Sequence, residues 1–423
     1  MKENKKQKSV DKREKKYKDD ISAITTKDMI KLAKFVIKKL DIKMYKTQLY
    51  FRQDNKYIHN NRLLLQSINN KLYELTKHLD TEVLHQINKF ADEVYSAEKE
   101  LPILLRNGMI LEGEFVKIDK PPFSPFFLNV TYNSSAYDKN VDKFLNDITC
   151  GHKELRKTLE EILGLILLTA KFPHHVFFFI GDGENGKSTL LEMINNFVRE
   201  LGQNLSLDDF NDATSVASLI GKLVNCTDET DGVYIDKCKG YKSLASGNTI
   251  TVRPIYSQPV RVQNTATLIL STNNMPKFND RSYGFYRRLV IVPFDFKIEK
   301  KIPNLDELLS TDNAKSYILN LALKGVKSIK SNGYKITKNE ILNKALEDYK
   351  TDIDDIANFL KEHKDIEGRI NKEVFADYQE YCEEIGTYSL SLPYFTSRLK
   401  EFGYVSTPTT IDKKSVRVYK KRH

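Results

Sequence analysis

The residues whose types and spacing most clearly specify a chemistry lie between Gly181 and Thr189. Three glycines, at positions 181, 183 and 186, precede Lys187, Ser188 and Thr189. The pattern G-x-x-x-x-G-K-[ST] predicts a loop whose backbone amides surround a chain of phosphates. In such a loop the lysine contacts the β- and γ-phosphates, and the hydroxyl that follows it ligates Mg²⁺. The ATP-binding residues predicted from this pattern are Gly181, Gly183, Glu184, Asn185, Gly186, Lys187, Ser188 and Thr189.

The segments on either side of this loop are those that a phosphate site requires. Val176–Ile180 is a continuous apolar run, which is typical of a buried strand. After the loop, apolar residues recur at steps of one, three and four between Leu190 and Leu201, as on one face of a helix. The order is therefore strand, turn and helix, and the positive end of the helix favours a bound anion. Because Lys187 extends from a loop, we expect its side chain to face solvent.

An acidic pair follows a second candidate strand. Lys222–Thr227 is largely apolar, and Asp228 and Glu229 come directly after it. ATP hydrolysis needs one carboxylate for the hydration shell of Mg²⁺ and another that orients or deprotonates the attacking water. We assign Asp228, together with Ser188, to the metal and Glu229 to the water. The alternative is an ordinary acidic loop.

Two further apolar runs complete a predicted sheet. Thr267–Thr272 ends at Asn273, whose amide could bond the γ-phosphate or its attacking water; the alternative is a loop asparagine ahead of a proline. Leu289–Phe294 begins directly after Arg288. Four such runs separated by helical segments predict an α/β fold, with a parallel sheet and helices on both faces. Ligands of these sheets lie beyond the carboxyl ends of the strands, where Lys187 and Asn273 fall.

The segment between the second and third strands indicates a β-hairpin. Thr249–Val252 and Val260–Val262 alternate in polarity on either side of a short loop. Arg253, Tyr256 and Arg261 lie at or near its tip. A cation beside an aromatic ring on a protruding hairpin can hold a phosphate and contact a sugar or base. A surface hairpin with no ligand is the equally weighted alternative.

Composition limits the class of protein. The 423 residues carry a formal net charge of +10, with basic residues concentrated at both ends. This favours a polyanionic partner, although residues 1–20 fit a disordered basic arm at least as well. The four cysteines are far apart without zinc-type spacing, so we predict neither a disulfide framework nor a metal cluster. We find no signal-peptide core and no run of about 18 apolar residues, so we expect a cytoplasmic protein without a membrane partner.

A series of motifs in fixed order resembles the superfamily 3 helicases. The motifs are G-D-G-E-N-G-K-S-T, T-D-E, K-S-L-A-S-G-N-T-I-T-V-R-P-I-Y, L-I-L-S-T-N-N-M-P and F-Y-R-R-L-V-I-V-P-F. The similarity is greatest to the phage and plasmid primase-helicases and their poxvirus relatives. It covers most of residues 100–300, and the order and spacing of the motifs are more specific than any one of them.

This resemblance implies a hexameric ring of AAA+ modules that moves 3′ to 5′ on one DNA strand, with ATP and Mg²⁺ between subunits. It identifies Arg288 as an arginine finger that reaches the γ-phosphate of a neighbouring subunit. It also identifies Lys242 as a second basic residue acting on the neighbouring site. The hairpin near Arg253 and Tyr256 matches the loop that tracks along DNA.

The chain departs from the family in detail. Asn248 stands where the phage enzymes commonly have aspartate, and Pro254-Ile255-Tyr256 replaces the Lys-His tip of viral initiator helicases. Residues 1–150 contain no acidic cluster of a primase site and are too few for the primase domain. The resemblance therefore implies a helicase without primase, from a phage, plasmid or other mobile genetic element. Its partners would include replication proteins of the host or the element.

The C-terminal segment predicts three helices followed by a basic hairpin, which are the elements of a winged helix. The helices fall near Ile353–Leu360, around Val374–Ile385 and between Ser391 and Gly403. The residues expected to contact duplex DNA are Arg398 and Lys400 on the recognition helix, and Lys413, Lys414 and Arg417 on the wing. The alternative is a helical cap on the ring.

These inferences divide the chain into four parts: a basic arm (1–20), a helical or mixed N-terminal domain (21–150) that is mainly helical up to about residue 100, an AAA+ domain (151–335) and a winged-helix domain (344–423). Two functions stay open. One is an ATP-dependent replicative DNA helicase, and the other is an origin-binding initiator whose ATPase switches assembly. A small-molecule P-loop kinase is disfavoured, because it explains neither the hairpin nor the basic C-terminal segment.

Overall fold

The computed structural model describes residues 25–71, 77–94, 100–169, 175–228, 234–235, 239–255, 257–278, 280, 282–298, 302–411 and 414–422. These residues form an N-terminal module, a large α/β unit built on one parallel sheet, and a small C-terminal unit. The predicted basic arm, residues 1–20, lies outside the described residues. In the part of the chain that is described, no helix combines the length and the apolar character needed to cross a lipid bilayer.

The N-terminal module, residues 25–94, combines three helices with a four-stranded sheet of order β3-β2-β1-β4. Its elements are α1 (Thr26–Lys39), β1 (Lys43–Tyr45), β2 (Gln48–Gln53), β3 (Lys56–Ile58), α2 (Asn61–Lys71), α3 (Lys77–Phe90) and β4 (Asp92–Glu93). Val36, Phe51 and Ile87 are buried in a core that belongs to this module alone. The expectation of a mainly helical segment is therefore wrong over residues 43–58, where three strands lie.

The turns between these strands explain the error. Lys46 and Thr47 connect β1 with β2 at φ values of 47° and 66°, and Asp54 connects β2 with β3 at 55°. Left-handed backbone is uncommon for residues other than glycine, and short hairpins are usually announced by Asn-Gly or Asp-Gly. The sequence therefore lacks the usual signal at both turns.

Residues 101–150 form the small mixed unit that the glycine-containing turns predict. Three antiparallel strands, β5 (Ile103–Leu105), β6 (Gly108–Leu111) and β7 (Glu114–Val116), precede helix α4 (Lys139–Ile148). The buried Ile103, Leu105 and Ile110 belong to the same hydrophobic cluster as one face of the large sheet.

The α/β unit is built on five parallel strands in the spatial order β16-β8-β14-β10-β9. Its elements in chain order are α5 (Lys153–Ile166), β8 (Val176–Ile180), α6 (Lys187–Val198), β9 (Gly202–Gln203), α7 (Ala213–Ala217), β10 (Val224–Asp228), β11 (Tyr234–Ile235), α8 (Lys239–Ala245), β12 (Thr249–Val252), β13 (Val260–Gln263), β14 (Thr267–Thr272), β15 (Lys277–Phe278), α9 (Tyr283–Tyr286), β16 (Leu289–Pro293), α10 (Leu305–Leu309), α11 (Asp312–Ser331) and α12 (Glu340–Asp352). The predicted α/β class and parallel sheet are confirmed. The edge strand β9 was not predicted, because two residues carry no detectable periodicity.

Both faces of this sheet are buried, which explains the continuous apolar run of β8. In β8, Phe177 and Phe179 belong to the core cluster under α5, α6 and α11, whereas Val176 and Phe178 belong to the cluster under α7, α8 and α12. Successive side chains of a strand point to opposite faces, so an unbroken apolar run indicates cover on both.

The C-terminal unit contains the predicted three helices and hairpin. They are α13 (Asp355–Glu362), α14 (Asn371–Glu384), α15 (Leu392–Glu401) and the antiparallel pair β17 (Tyr404–Ile411) and β18 (Lys414–Lys421). Phe359, Tyr378 and Phe395 are fully buried in a core of their own. Helix α12 packs on the α/β unit, since Tyr349 and the adjoining Ile353 belong to a core cluster of that unit.

Candidate nucleotide site

The carboxyl ends of three strands bring the predicted phosphate-loop residues together. Ile180, the last residue of β8, is in register with Thr272 of β14, and Asp228 of β10 is in register with Ser271. The loop after β8, the carboxylate of Asp228 and the segment that starts at Asn273 therefore share one edge of the sheet. This is the edge at which ligands of parallel sheets bind.

Lys187 occupies the centre of this edge. Its Nζ donates hydrogen bonds to the carbonyl of Gly181, to Asn185 Oδ1 at 3.1 Å and to Asn273 Oδ1 at 3.4 Å. The residue is only 4 % exposed, so the expectation of a solvent-facing side chain is wrong. The reason is that Lys187 begins helix α6, and its side chain folds back under the loop instead of extending from it. Burial lowers the pKa of Lys187, and the charge of Asp228 opposes that effect.

Asn185 fixes the loop to the rest of the sheet. The side chain is 3 % exposed, and its Nδ2 donates to the carbonyl of Phe294, just beyond β16, at 3.2 Å. Its Oδ1 accepts from Lys187 Nζ. A side chain at Gly181 would collide with this amide, because a Cβ there would lie 2.2 Å from Asn185 Nδ2. Asn185 was predicted to bind ATP, and the structure shows that its side chain positions the loop.

The remaining loop residues set the course of the backbone. Gly183 and Gly186 have φ values of 92° and 86°, which favour glycine, and Glu184 has a strained value of 45°. Gly186 also contacts Ile148 so closely that a Cβ would lie 2.6 Å from its Cγ2. Helix α6 starts at Lys187 without a side-chain cap, so its first amides can face a phosphate together with the positive end of the helix. Thr189 lies half-buried in the first turn of the helix.

Ser188 and Asp228 bring two oxygen donors together beside the phosphate loop. Ser188 Oγ donates to Asp228 Oδ2 at 2.6 Å, and both residues are exposed. Mg²⁺ prefers a hydroxyl, one or two carboxylates and phosphate oxygens, so these donors fit that ion. Glu229, the predicted base, lies outside the described residues.

Arg288 lies at the opposite edge of the sheet. Leu289, which starts β16, is in register with Val176, which starts β8, and Arg288 accepts a backbone hydrogen bond from Val176 at 2.8 Å. Five strand residues therefore separate Arg288 from the level of the phosphate loop, a distance of about 16 Å. Its half-buried guanidinium donates to the carbonyl of Gly284. Burial, and secondarily the charge of Arg287, lowers the pKa of Arg288.

Lys242 is close to Arg288 and not to the phosphate loop. Lys242 Nζ contacts Asp280 Oδ2 at 2.6 Å, and the charge of Asp280 also acts on Arg288. The aromatic rings of Tyr241 and Phe285 pack 5.0 Å apart and hold helix α8 against helix α9. The structure thus joins the two basic residues assigned to a neighbouring site into one group. Asp280, which contacts Lys242 and acts on Arg288 through its charge alone, had no sequence signal.

The predicted hairpin is present and its tip is exposed. Strands β12 and β13 pair antiparallel, with Thr251 opposite Arg261. Val262 packs inward, whereas Arg261 and Arg253 are exposed and Ile255 at the tip is 70 % exposed. Tyr256 lies outside the described residues.

The basic residues of the C-terminal unit differ in their surroundings. Arg398 is engaged within the unit, because its guanidinium contacts Asp354 at 3.0 Å and also Glu401. Of the predicted DNA-binding residues, Lys400, Lys414 and Arg417 are exposed, the last donating to Ser406 Oγ at 3.3 Å. Lys413 lies outside the described residues.

Comparisons with known proteins find weak similarity to viral proteins over about a third of the chain. A protein family described as "Family of unknown function (DUF5906)" matches residues 179–288, from the end of β8 to Arg288. The protein named "Putative helicase L207/L206" of Acanthamoeba polyphaga mimivirus is 24% identical over 170 residues, 38% of this chain and 18% of that protein. The "Uncoating factor OPG117" of variola virus is 26% identical over 169 residues, 37% of this chain and 21% of the relative. "Primase D5" of fowlpox virus is 28% identical over 156 residues, 33% and 19% of the two chains.

A solved structure extends the likeness to nearly the whole chain. The apo structure of the NrS-1 C-terminal region superposes with a TM-score of 0.54 and 14% identity, and covers 94% of this chain and 100% of that one. At this identity the match establishes a shared fold. The chain spans about a fifth of the length of the curated relatives it matches. These sequence matches give the chain weak homology to viral helicase- and primase-type proteins.

Proposed function

We propose that this chain is the motor subunit of an ATP-dependent DNA helicase that acts in the replication of a mobile genetic element. The observation that carries the proposal is the separation of two cationic groups. Lys187 lies at one edge of the sheet, and Arg288 with Lys242 lies at the other. A complete site then needs two copies of the chain, as in a hexameric ring of AAA+ modules.

Each residue at the phosphate edge has a defined task. Lys187 holds the β- and γ-phosphates, and its three oxygen contacts are exchanged for phosphate oxygens when ATP binds. The amide of Asn273 orients the γ-phosphate or the water that attacks it. Glu229 takes the proton of that water. Ser188 and Asp228 would hold Mg²⁺, which neutralises charge on the phosphates when bound.

The hairpin links this chemistry to DNA. Arg253 is exposed where β12 ends, and the buried Val252 and Val262 pack the hairpin against the α/β unit. We propose that Arg253, Tyr256 and Arg261 face the channel of the ring and grip one strand during 3′-to-5′ movement. Phosphate contacts and stacking of this kind bind single strands without a sequence requirement.

The second candidate is an origin-binding initiator whose ATPase only switches assembly. The observation that favours it is the C-terminal unit, which has its own core and presents Lys400, Lys414 and Arg417 at its surface. We propose that this unit is a winged helix that binds duplex DNA, and it serves either function.

Strand displacement from forks with a 3′ or a 5′ overhang, with and without ATP, tests the motor. We expect ATP-dependent displacement from the 3′ overhang. The double variant Arg253→Ala, Tyr256→Ala should keep basal ATPase and assembly but lose displacement and DNA-stimulated ATPase. Lys327→Ala, which removes an exposed cation from α11 on the other side of the sheet, is the control for the loss of charge alone.

Removal of residues 355–423 should have the opposite effect. The cut spares α12, which packs on the sheet. Duplex binding should weaken and its salt dependence should decrease, by about 0.9 in slope for each lost phosphate contact. Displacement from a preformed fork should persist in part. If the hairpin variant displaces strands normally and only the truncation matters, the switch becomes the better description.

A further inference from the structure

The segment that follows β14 carries the amide of the proposed γ-phosphate sensor. Thr272 is the last strand residue, and Asn273 through Pro276 lead to the short strand β15. Asn273 Oδ1 is 3.4 Å from Lys187 Nζ, so this amide already faces the position of the phosphates. Asn273 itself is exposed, and the position of its amide is therefore set by the backbone on either side.

Two hydroxyl groups fix that backbone. On the strand side, Thr272 Oγ1 donates to the carbonyl of Asn274 at 2.6 Å. On the far side, the hydroxyl of Tyr349 donates to the carbonyl of Pro276 at 2.8 Å. Tyr349 is 5 % exposed and 73 positions away along the chain. Leaving a buried carbonyl without a partner is unfavourable, so this contact holds the segment firmly.

Tyr349 is itself held in place by helix α12. Tyr349 and Ile353 pack in the same cluster as Phe278, which follows the sensor segment, and Leu289, which starts β16. One residue along the helix, Lys350 lies 5.2 Å above the ring of Tyr286 on α9. The hydroxyl therefore reaches Pro276 from a helix that is packed against the sheet and against α9.

We propose that Tyr349 is a positioning residue for ATP hydrolysis, which holds the Asn273 amide at the γ-phosphate through the carbonyl of Pro276. The inference rests on the proposed ATPase. Without the hydroxyl the phosphate loop is untouched, so ATP should still bind. The sensor segment should relax, and a misplacement of about 1 Å can cost about 10²-fold in the rate of a positioned reaction.

Tyr349→Phe is the test, because the ring that fills the core remains and one hydroxyl is lost. We expect kcat for ATP to fall by about 10-fold, within the loss of about 10²-fold that a 1 Å misplacement causes. KM and the affinity for a fluorescent ATP analogue should stay unchanged. Tyr317→Phe is the matched control. The Tyr317 hydroxyl donates to Asp142 over 2.9 Å, and neither residue belongs to the nucleotide site. It should turn over ATP at the wild-type rate.

A double-mutant cycle separates positioning from a general loss of structure. If Tyr349 acts through the sensor, Tyr349→Phe should have no further effect on kcat in an Asn273→Ala background. Multiplicative effects of the two changes, or an unchanged kcat in Tyr349→Phe, would overturn the inference. A wild-type protein without ATPase activity would instead refute the proposed function, so the two failures are distinguishable.

Discussion

Replacing Arg288 by alanine tests whether ATP is hydrolysed between two copies of the chain. Arg288 precedes β16 at the edge of the sheet opposite Lys187, and about 16 Å of strand separates the two levels. We expect the variant to bind ATP normally and to lose turnover by a factor of about 10³–10⁵, the contribution of an arginine finger. The guanidinium donates to Gly284 at the surface of α9, so its removal should leave the sheet intact.

Mixing Arg288→Ala with Lys187→Ala subunits shows where the arginine acts. A site is complete where the Lys187 of one variant meets the Arg288 of the other. With random assembly from equal amounts, about one quarter of the sites are complete, because each condition holds for about half of the subunits. Turnover should therefore pass through a maximum at equal amounts, near about a quarter of the wild-type rate.

The assay is steady-state phosphate release across the mixing series, with exchange of subunits verified by labels of two colours. Because Lys187 is buried, the melting temperature of Lys187→Ala must first show that this variant folds. Arg287→Ala is the comparison, since Arg287 is the exposed neighbour of Arg288 and should not be needed for turnover. If mixed rings form and turnover never exceeds that of the two parents, action on the neighbouring site is refuted.

Two further predictions concern the acidic pair and the start of β8. Glu229→Gln should bind ATP and hydrolyse it about 10²–10⁴-fold more slowly, the contribution of a general base; if instead Asp228→Asn traps ATP and Glu229→Gln stays active in phosphate release, the two roles are exchanged. Burial lowers the pKa of His175 to about 4, whereas its unfolded pKa is about 6.5. Between these two values only the unfolded chain takes up the proton, so the free energy of unfolding decreases as the pH is lowered. The loss should be about 2 kcal/mol between about pH 7 and about pH 5 in urea unfolding, and about that much of the pH dependence should vanish in His175→Phe; an identical dependence in both proteins would contradict it.

The sheet was predictable because its signals are local. The long strands carry apolar side chains that are covered on both faces, and Asp228 and Asn273 lie at strand ends that the parallel order aligns. The hairpin and the C-terminal elements were likewise marked by alternation, turns and helix ends. By contrast, the strands of residues 43–58 were missed, because Lys46 and Thr47 make a left-handed turn without glycine.

What the sequence could not supply are contacts between distant positions. Asn185 reaches the carbonyl of Phe294, 109 positions away, and its Oδ1 accepts from the lysine that was expected in solvent. Lys242 and Asp280 also form an ion pair that no local sequence pattern indicates. The periodicity of the sequence does not reveal such pairs, because they depend on which strand ends the sheet brings together.

The cations show most clearly why residue type alone does not assign a role. Arg398 and Arg288 were both predicted to act on a partner, one on DNA and one on a neighbouring ATP. In the structure Arg398 is held by Asp354 and Glu401, so its charge is balanced within the C-terminal unit. Arg288 instead bonds a neutral carbonyl beside Arg287, and its charge stays uncompensated by a direct carboxylate contact among the described residues. A half-buried cation held by a neutral acceptor gains more from an incoming phosphate than a cation that is already paired with carboxylates. This difference favours Arg288 as the residue that acts on a neighbouring ATP.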